Sequence, residues 1–368
     1  MLWYYYYTTI KISVANYYEL WSKRLSEKQR EISELVGGIH RGVGAVLKES
    51  SLGGMLYKVE QKDHGKATIG AVDGGEGLTE LSGIAAYLIR ASGLIKNEKS
   101  QFVRDLDLGV LPVNKQTKAR VQFMRAAMEY NIARRLAEEF KPDYLLIDGS
   151  LLVGVETDPI KIDEYKAYIT ALRRLIMISE KLGIRLVGVS EDSTSRGLIG
   201  YLSEKGFSRE AARALASLTD TSLLQLYVQG KYGKDFEPIA TKPFIPVSNK
   251  GREWVIKNTG IDKSFPTFYL QATRLGRPLR VDFPSDGKRI GEEAKEIASL
   301  LTYLSQIPKR YGYPLPLYLA HSDAELPKEL MERTAMLIRK EIFKDWTGEY
   351  MSMYSKKRRD SRPTDYEQ

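Results

Sequence analysis

Two apolar runs in this chain each end on an Asp followed by Gly. The first is Ala67-Thr68-Ile69-Gly70-Ala71-Val72-Asp73-Gly74-Gly75, and the second is Tyr144-Leu145-Leu146-Ile147-Asp148-Gly149-Ser150. Nearly unbroken apolar runs of this length read as strands buried on both faces. Two such strands, each with an Asp at its C-terminal edge, bring two carboxylates into one crevice. A glycine after each Asp lets a backbone, a phosphate or a metal approach without a Cβ in the way. The pair therefore points to a divalent-metal site or to a phosphate-handling site. For one Asp-Gly alone the better reading is a turn residue bonded to its own backbone; two of them after buried runs move the reading toward function.

The rest of the pattern supplies a frame for these strands. Residues 15–36 read as an amphipathic helix carrying Trp21, Leu25, Ile32 and Leu35. Further strands are expected at Ile84–Arg90 and Arg104–Val110, followed by a helix over 116–140 with Val121, Met124, Met128, Ile132 and Leu136 on one face. A second helix over 161–182 leads to a strand at Ile184–Ser190. This alternation predicts an α/β sheet covered by helices on both faces. Helical patterns follow at 208–228, then a hairpin from Thr267 to Phe283 turning at Arg274-Leu275-Gly276-Arg277. A helix over 289–306, a strand at Leu315–His321 and a helix over 326–343 complete the pattern. The expected organisation is an aromatic N-terminal segment and helix (1–36), one composite domain (37–350) with an insertion at about 197–285, and a basic, disordered tail (351–368).

Composition narrows the chemistry. There is no Cys, which excludes disulfides, thiolate catalysis and cysteine-ligated zinc or iron–sulfur centres. With three His (His40, His64 and His321), a metal would be held mainly by oxygen, which favours Mn²⁺ or Mg²⁺ over Zn²⁺. The formal charge of +9 suggests a polyanionic partner such as nucleic acid. No apolar run approaches the roughly 20 residues that span a bilayer. The aromatic N-terminus lacks the features of a signal peptide, so the expectation is a cytoplasmic protein with no membrane partner.

Other candidate residues each carry two readings. Glu129, at the margin of the buried stripe of its helix, can point toward the strand ends, or can simply pair with Arg125 one turn earlier, worth roughly 0.2–0.5 kcal/mol on a helix surface. His321, at an expected strand-to-helix junction, suits a ligand or proton carrier, or else helps Ser322 and Asp323 cap the next helix. Tyr313, one of 23 Tyr, carries no signal alone. No P-loop, strand-linked G-x-G-x-x-G or G-x-S-x-G elbow is present. Arg274, Arg277 and Arg280 of the hairpin can follow a phosphate backbone, or form a solvated basic face.

Taken in order, Val72-Asp73-Gly74-Gly75, Met124-Arg125-x-x-x-Glu129-Tyr130, Leu146-Ile147-Asp148-Gly149-Ser150, and Tyr313 with His321 resemble the NurA nucleases. These are prokaryotic, mainly archaeal, enzymes that work with the HerA translocase in DNA end processing. The resemblance implies an RNase H-like fold, a ring-like homodimer, and Mn²⁺-dependent cleavage of DNA. The implied activity is 5′–3′ exonuclease on single- and double-stranded DNA with single-strand endonuclease activity, serving end resection in break repair. It assigns metal-binding roles to Asp73, Glu129 and Asp148 and places Tyr313 and His321 in the active site, His321 as a further ligand or to orient the attacking water. Two ions held by shared carboxylates would suit phosphodiester hydrolysis, with Asp73 bridging them. Where some relatives carry a Lys after the Leu186–Ser190 strand, this chain has Glu191-Asp192-Ser193-Thr194-Ser195-Arg196, and Arg196 stands in for its phosphate contact.

Two rival readings remain. An actin- or sugar-kinase-like ATPase would use Asp73-Gly74-Gly75 and Asp148-Gly149-Ser150 as phosphate loops, but it needs a second RNase H-like half beyond residue 184. A catalytically inactive DNA-binding adaptor of a translocase would not need all three acids.

Overall fold

The computed structural model describes residues 17–34, 37, 52–80, 83–96, 100–153, 162–191, 193–204, 215, 218–232, 236–246, 250–306 and 312–342. In chain order the elements are α1 (17–34), α2 (Leu52–Met55), β1 (Leu56–Lys58), β2 (Ile69–Glu80), β3 (Ile84–Lys96), β4 (Gln101–Pro112), α3 (Thr117–Phe140), β5 (Tyr144–Asp148), α4 (Asp163–Leu182), β6 (Arg185–Ser190), α5 (Gly197–Ser203), α6 (Asp220–Tyr232), β7 (Ile239–Thr241), α7 (Lys250–Thr259), β8 (Thr267–Gln271), β9 (Leu279–Asp282), α8 (Ile290–Leu304), α9 (Leu315–Ala324) and α10 (Lys328–Ile342).

All nine strands join one sheet in the order β1-β7-β8-β9-β6-β5-β2-β3-β4. The core of the sheet is a long antiparallel meander, β2-β3-β4, to which β5 adds in parallel beside β2 and β6 in parallel beside β5. That order and polarity are the RNase H-like arrangement. Each parallel addition needs a crossover, and α3 and α4 supply them. Helix α3 runs 24 residues without Gly or Pro, and α4 stops where Gly183 takes φ 70°, its N–H reaching the Glu180 carbonyl.

Side chains alternate across the sheet, and the two faces gather separate cores. Val72, Leu145, Ile147 and Leu186 pack under α3 and α4 with Phe123, Tyr130 and Tyr168. Ile69, Ala71, Leu146, Val187 and Val189 pack under α8 and α9 with Leu301 and Leu317. Truncating a fully buried aromatic such as Phe123 to Ala would cost roughly 3–5 kcal/mol.

The structure revises several expectations. The strand expected at 84–90 is the first half of the longer β3, and that at 104–110 lies inside the longer β4. Within the stretch 197–285, β7, β8 and β9 extend the central sheet, with β9 pairing antiparallel to β6. The residues after 184 that a kinase-like protein would fold into a second half thus enlarge the first sheet. Leu315–His321, expected as a strand, is the front of helix α9. A short buried apolar run has no period to separate helix from strand, and Pro316 near the helix start is compatible with a first turn. Helix α1 leaves Trp21, Leu25 and Ile32 exposed, and Leu35 of the same expected stripe lies outside the described residues. Residues 1–16, 205–214 and the tail 351–368 lie outside the described residues.

Candidate metal centre

Asp73 was expected to end its strand, yet β2 continues through the glycines to Glu80. What ends there is the neighbour on one side. The β2–β5 pairing stops at Val72 opposite Ile147, and β5 itself stops at Asp148. Beyond Val72 the strand is held by β3 alone, so both carboxylates open onto the crevice at the end of β5. The Asp148 side does turn as the sequence implied: Gly149 takes φ 95°, a conformation suited to glycine.

The glycines after Asp73 make room for other elements. Odd residues of β2 face α9 and even ones face α3. A Cβ on Gly74 would collide with Glu129 Oε1 and come within 2.9 Å of its Cγ. A Cβ on Gly75 would collide with the backbone carbonyl of Ala324, at the end of α9. The first glycine admits the Glu129 side chain to the strand, and the second admits a helix end.

Three ligand atoms converge on this edge. One from each of Asp73, Asp148 and His321 lie within 4.8 Å of one another. His321 Nδ1 is 2.7 Å from Asp73 Oδ2 and 3.8 Å from Asp148 Oδ2. Asp73 is 5% exposed and also accepts the N–H of Gly74 at 2.7 Å. Burial first, and then the Asp73 charge, push the Asp148 carboxyl up to about 7. A buried Asp, a half-buried Asp and an imidazole that crowd this closely are a donor set that could hold a divalent cation, whose charge would relieve the repulsion.

Glu129 satisfies both readings offered by the sequence. It pairs with Arg125 at 2.9 Å, as an i,i+4 neighbour would. It is also 3% exposed and close enough to Asp73 and Asp148 to be repelled by both. Burial chiefly, with those charges adding and Arg125 opposing, lifts it to about 8. Arg125 further binds the Gly74 carbonyl at 3.1 Å and Glu76 at 3.2 Å, locking α3 to β2. Tyr313 is 4% exposed, and its hydroxyl has no protein hydrogen-bond partner of normal geometry. Burial, with the Asp148 carboxylate beside it, pushes the phenol well above its ordinary value. It remains a protonated donor aimed at the acids.

The basic residues divide. Arg274 and Arg277 are exposed on the β8–β9 turn. That turn touches the chain just before Tyr313, since a Cβ on Gly312 would lie 3.1 Å from the Gly276 Cα. Arg280, expected on the same DNA-contacting face, is instead turned inward and pairs with Asp282 at 3.0 Å. Asp282 is buried and also accepts Thr267 Oγ1 at 2.5 Å and Ser150 Oγ at 2.7 Å. Burial alone would raise this acid, but Arg280 and Arg252 with the two hydroxyls hold it below the ordinary carboxylate value. Through Ser150 it fixes the loop that follows Asp148. Arg196 is exposed at the start of α5 and donates to the Leu215 carbonyl at 2.7 Å. Sequence reasoning missed the Ser150–Asp282 bond, whose partners are 132 residues apart with no local signal.

An RNase H-like sheet with two Asp and one His gathered at the end of its parallel strands has the build of a metal-dependent nuclease. The family model of the NurA domain matches residues 67–326, and the chain belongs to the NurA family. A search among curated protein sequences found no match. Among solved structures, the NurA nuclease from Sulfolobus solfataricus is 19% identical, with a TM-score of 0.63 over 89% of this chain and 99% of that one. A NurA structure with manganese is 12% identical, with a TM-score of 0.58 over 88% and 99%. A NurA structure bound to dAMP and manganese is 12% identical, with a TM-score of 0.57 over 89% and 99%.

Proposed function

We propose that this chain is a manganese-dependent deoxyribonuclease, an exonuclease of 5′–3′ polarity on single- and double-stranded DNA with single-strand endonuclease activity. It acts as a cytoplasmic homodimer with a HerA-type hexameric translocase in DNA end resection. The observation that carries the nuclease reading is the convergence of Asp73, Asp148 and His321 at the open edge of β2 and β5. Membership of the NurA family supports the substrate class. The NurA structure with dAMP and manganese supports both the metal and a nucleotide ligand. The exposed apolar stripe of α1 is the candidate surface for the translocase.

In this reading Asp73, Asp148 and His321 would hold the metal, and Glu129 would complete the acidic shell for one ion or two. Mn²⁺ bound there, or Mg²⁺ in its place, would supply neutralisation of phosphate charge and activation of water. Tyr313 donates its hydroxyl to a phosphate oxygen or to the attacking water. Arg274 and Arg277 draw the DNA backbone toward the crevice. Arg196 adds a phosphate contact from the start of α5, as the family resemblance implies. Arg125 holds the Glu129 carboxylate in place.

The test is digestion of end-labelled single- and double-stranded DNA by the purified chain with Mn²⁺, Mg²⁺, Ca²⁺ or EDTA. Cleavage with Mn²⁺ and none with EDTA is expected. Binding of DNA without metal-dependent cleavage would favour the adaptor, and ATP turnover without DNA would favour the kinase-like reading.

A further inference from the structure

Asp73, Ser92 and Arg104 are register partners on three adjacent strands, Asp73 opposite Ser92 and Ser92 opposite Arg104. They form one row across β2, β3 and β4 on the face that carries α9. This row grips two side chains of that helix. Asp73 meets His321 Nδ1 at 2.7 Å. Arg104 donates two parallel bonds to the Asp323 carboxylate, at 2.7 and 2.8 Å, and Ser92 Oγ donates a third at 2.6 Å. The next row on the same face is Gly75, Arg90 and Leu106. Gly75 lies beneath the Ala324 carbonyl, and Arg90 donates to the carbonyls of Asp323 at 2.8 Å and Glu325 at 3.1 Å.

We propose that Asp323, Ser92 and Arg104 are a positioning brace that sets where His321 stands relative to Asp73 and Asp148. The proposal rests on the reading of His321 as a metal ligand. Helix α9 spans ten residues, too short to be stable by itself. Its last turn leaves carbonyls without helical partners, and Arg90 takes those around Asp323. The His321 side chain is 48% exposed, so packing alone does not fix it. The bidentate, charge-assisted pair two residues further along the same helix supplies the missing constraint. Arg104 itself is mostly exposed, and such a pair contributes little to global stability. Its loss should therefore be read in the site more than in the fold.

The test measures Mn²⁺ binding to the full chain directly, by electron paramagnetic resonance of the free ion, alongside thermal melting and cleavage kinetics. His321→Ala should weaken binding. Arg104→Ala should weaken it roughly 10-fold, as removal of outer-shell partners of metal ligands does. Ser92→Ala should act in the same direction. Arg104→Lys should recover part of the affinity, because the charge is kept but the two-pronged geometry is lost. The Mn²⁺ needed for half-maximal cleavage should rise with Arg104→Ala while KM for DNA is unchanged. Should Arg104→Ala and Ser92→Ala bind Mn²⁺ like the parent while His321→Ala does not, the brace is overturned and the metal site stands. Parental Mn²⁺ binding by His321→Ala would remove the ligand reading and the brace with it. A loss of affinity in Arg104→Ala that appears only with an equally lowered melting midpoint, and that Lys does not restore, would make Arg104 structural and overturn the brace.

Discussion

His321 Nδ1 and Asp73 Oδ2 lie 2.7 Å apart although 248 residues separate them in the chain. The contact joins helix α9 to strand β2 at the point where that strand loses its neighbour β5. Nδ1 is also the His321 atom that faces Asp148, at 3.8 Å, and in the proposed site it is the atom that would bind the cation. His321→Ala should therefore reduce cleavage strongly while DNA affinity and melting midpoint stay close to the parent's. If the folded variant cut DNA normally, His321 would be structural and the site would rest on the three acids.

Asp73→Asn keeps the size and hydrogen-bonding capacity of the side chain and removes the charge. Cleavage should be abolished, with DNA binding retained, because the basic surface is untouched. Near-parental Mn²⁺-dependent activity in this variant would refute the metal-site assignment.

Gly74→Ala tests whether Glu129 belongs to the site. The added Cβ collides with Glu129 Oε1 and lies 3.1 Å from the Arg125 Cγ, so the carboxylate must move. Overpacking of this kind costs roughly 1–3 kcal/mol. Activity should fall at least about tenfold, a loss of near 1.4 kcal/mol in transition-state stabilisation, in a protein that still folds by circular dichroism. An active, folded Gly74→Ala enzyme would place Glu129 outside the chemistry.

Much of this was legible in the sequence. The Asp73 and Asp148 strands, helices α3 and α4, and the hairpin of β8 and β9 all carry clear local patterns. Asp73 and Asp148 were readable because each interrupts a buried run just before glycine. What stayed hidden depends on distant partners. The run Leu315–His321 looks alike as helix or strand, since Pro316, Leu317 and Ala320 are buried and no polar residue marks a period. The glycines of β2 look like a turn, and only the arrival of Glu129 and the Ala324 carbonyl explains them. Arg280 reads as surface charge until Asp282, two residues on, proves to be buried.

Raised carboxyl groups give the metal-free protein a pH signature. Glu129 moves from an ordinary 4.5 to about 8 and Asp148 from 3.8 to about 7. Between those limits the folded state binds more protons than the unfolded chain, so stability falls as pH rises. Asp282 and Asp323, held below the ordinary value, act oppositely but only in acid, below about pH 4. The melting midpoint in EDTA should decline from pH 5 to pH 8.5. Added Mn²⁺ should reverse the decline most at the alkaline end, where the ligands are deprotonated. Glu129→Gln should flatten the metal-free curve. A midpoint in EDTA that held level or climbed over this range would contradict the buried-acid account.

Arg280 and Arg274 sit on one hairpin and should fail in different ways. The Arg280 side chain is 14% exposed and its partner Asp282 is 1% exposed. Arg280→Ala leaves that carboxylate with Arg252 at 3.7 Å as its remaining charged partner. Breaking a buried pair from one side costs roughly 3–5 kcal/mol, so the melting midpoint should drop by several degrees. The Ser150 loop beyond Asp148 should loosen with it. Arg274→Ala, on the exposed turn, should stay within about 0.5 kcal/mol of the parent in stability. It should instead weaken DNA binding evenly across sequences and lower the salt dependence of affinity by about one counterion. Chemical denaturation and DNA titrations at several salt concentrations separate the two. If Arg280→Ala kept full stability and lost only DNA affinity, its side chain would belong to the DNA face after all, and the inward pairing with Asp282 would be wrong.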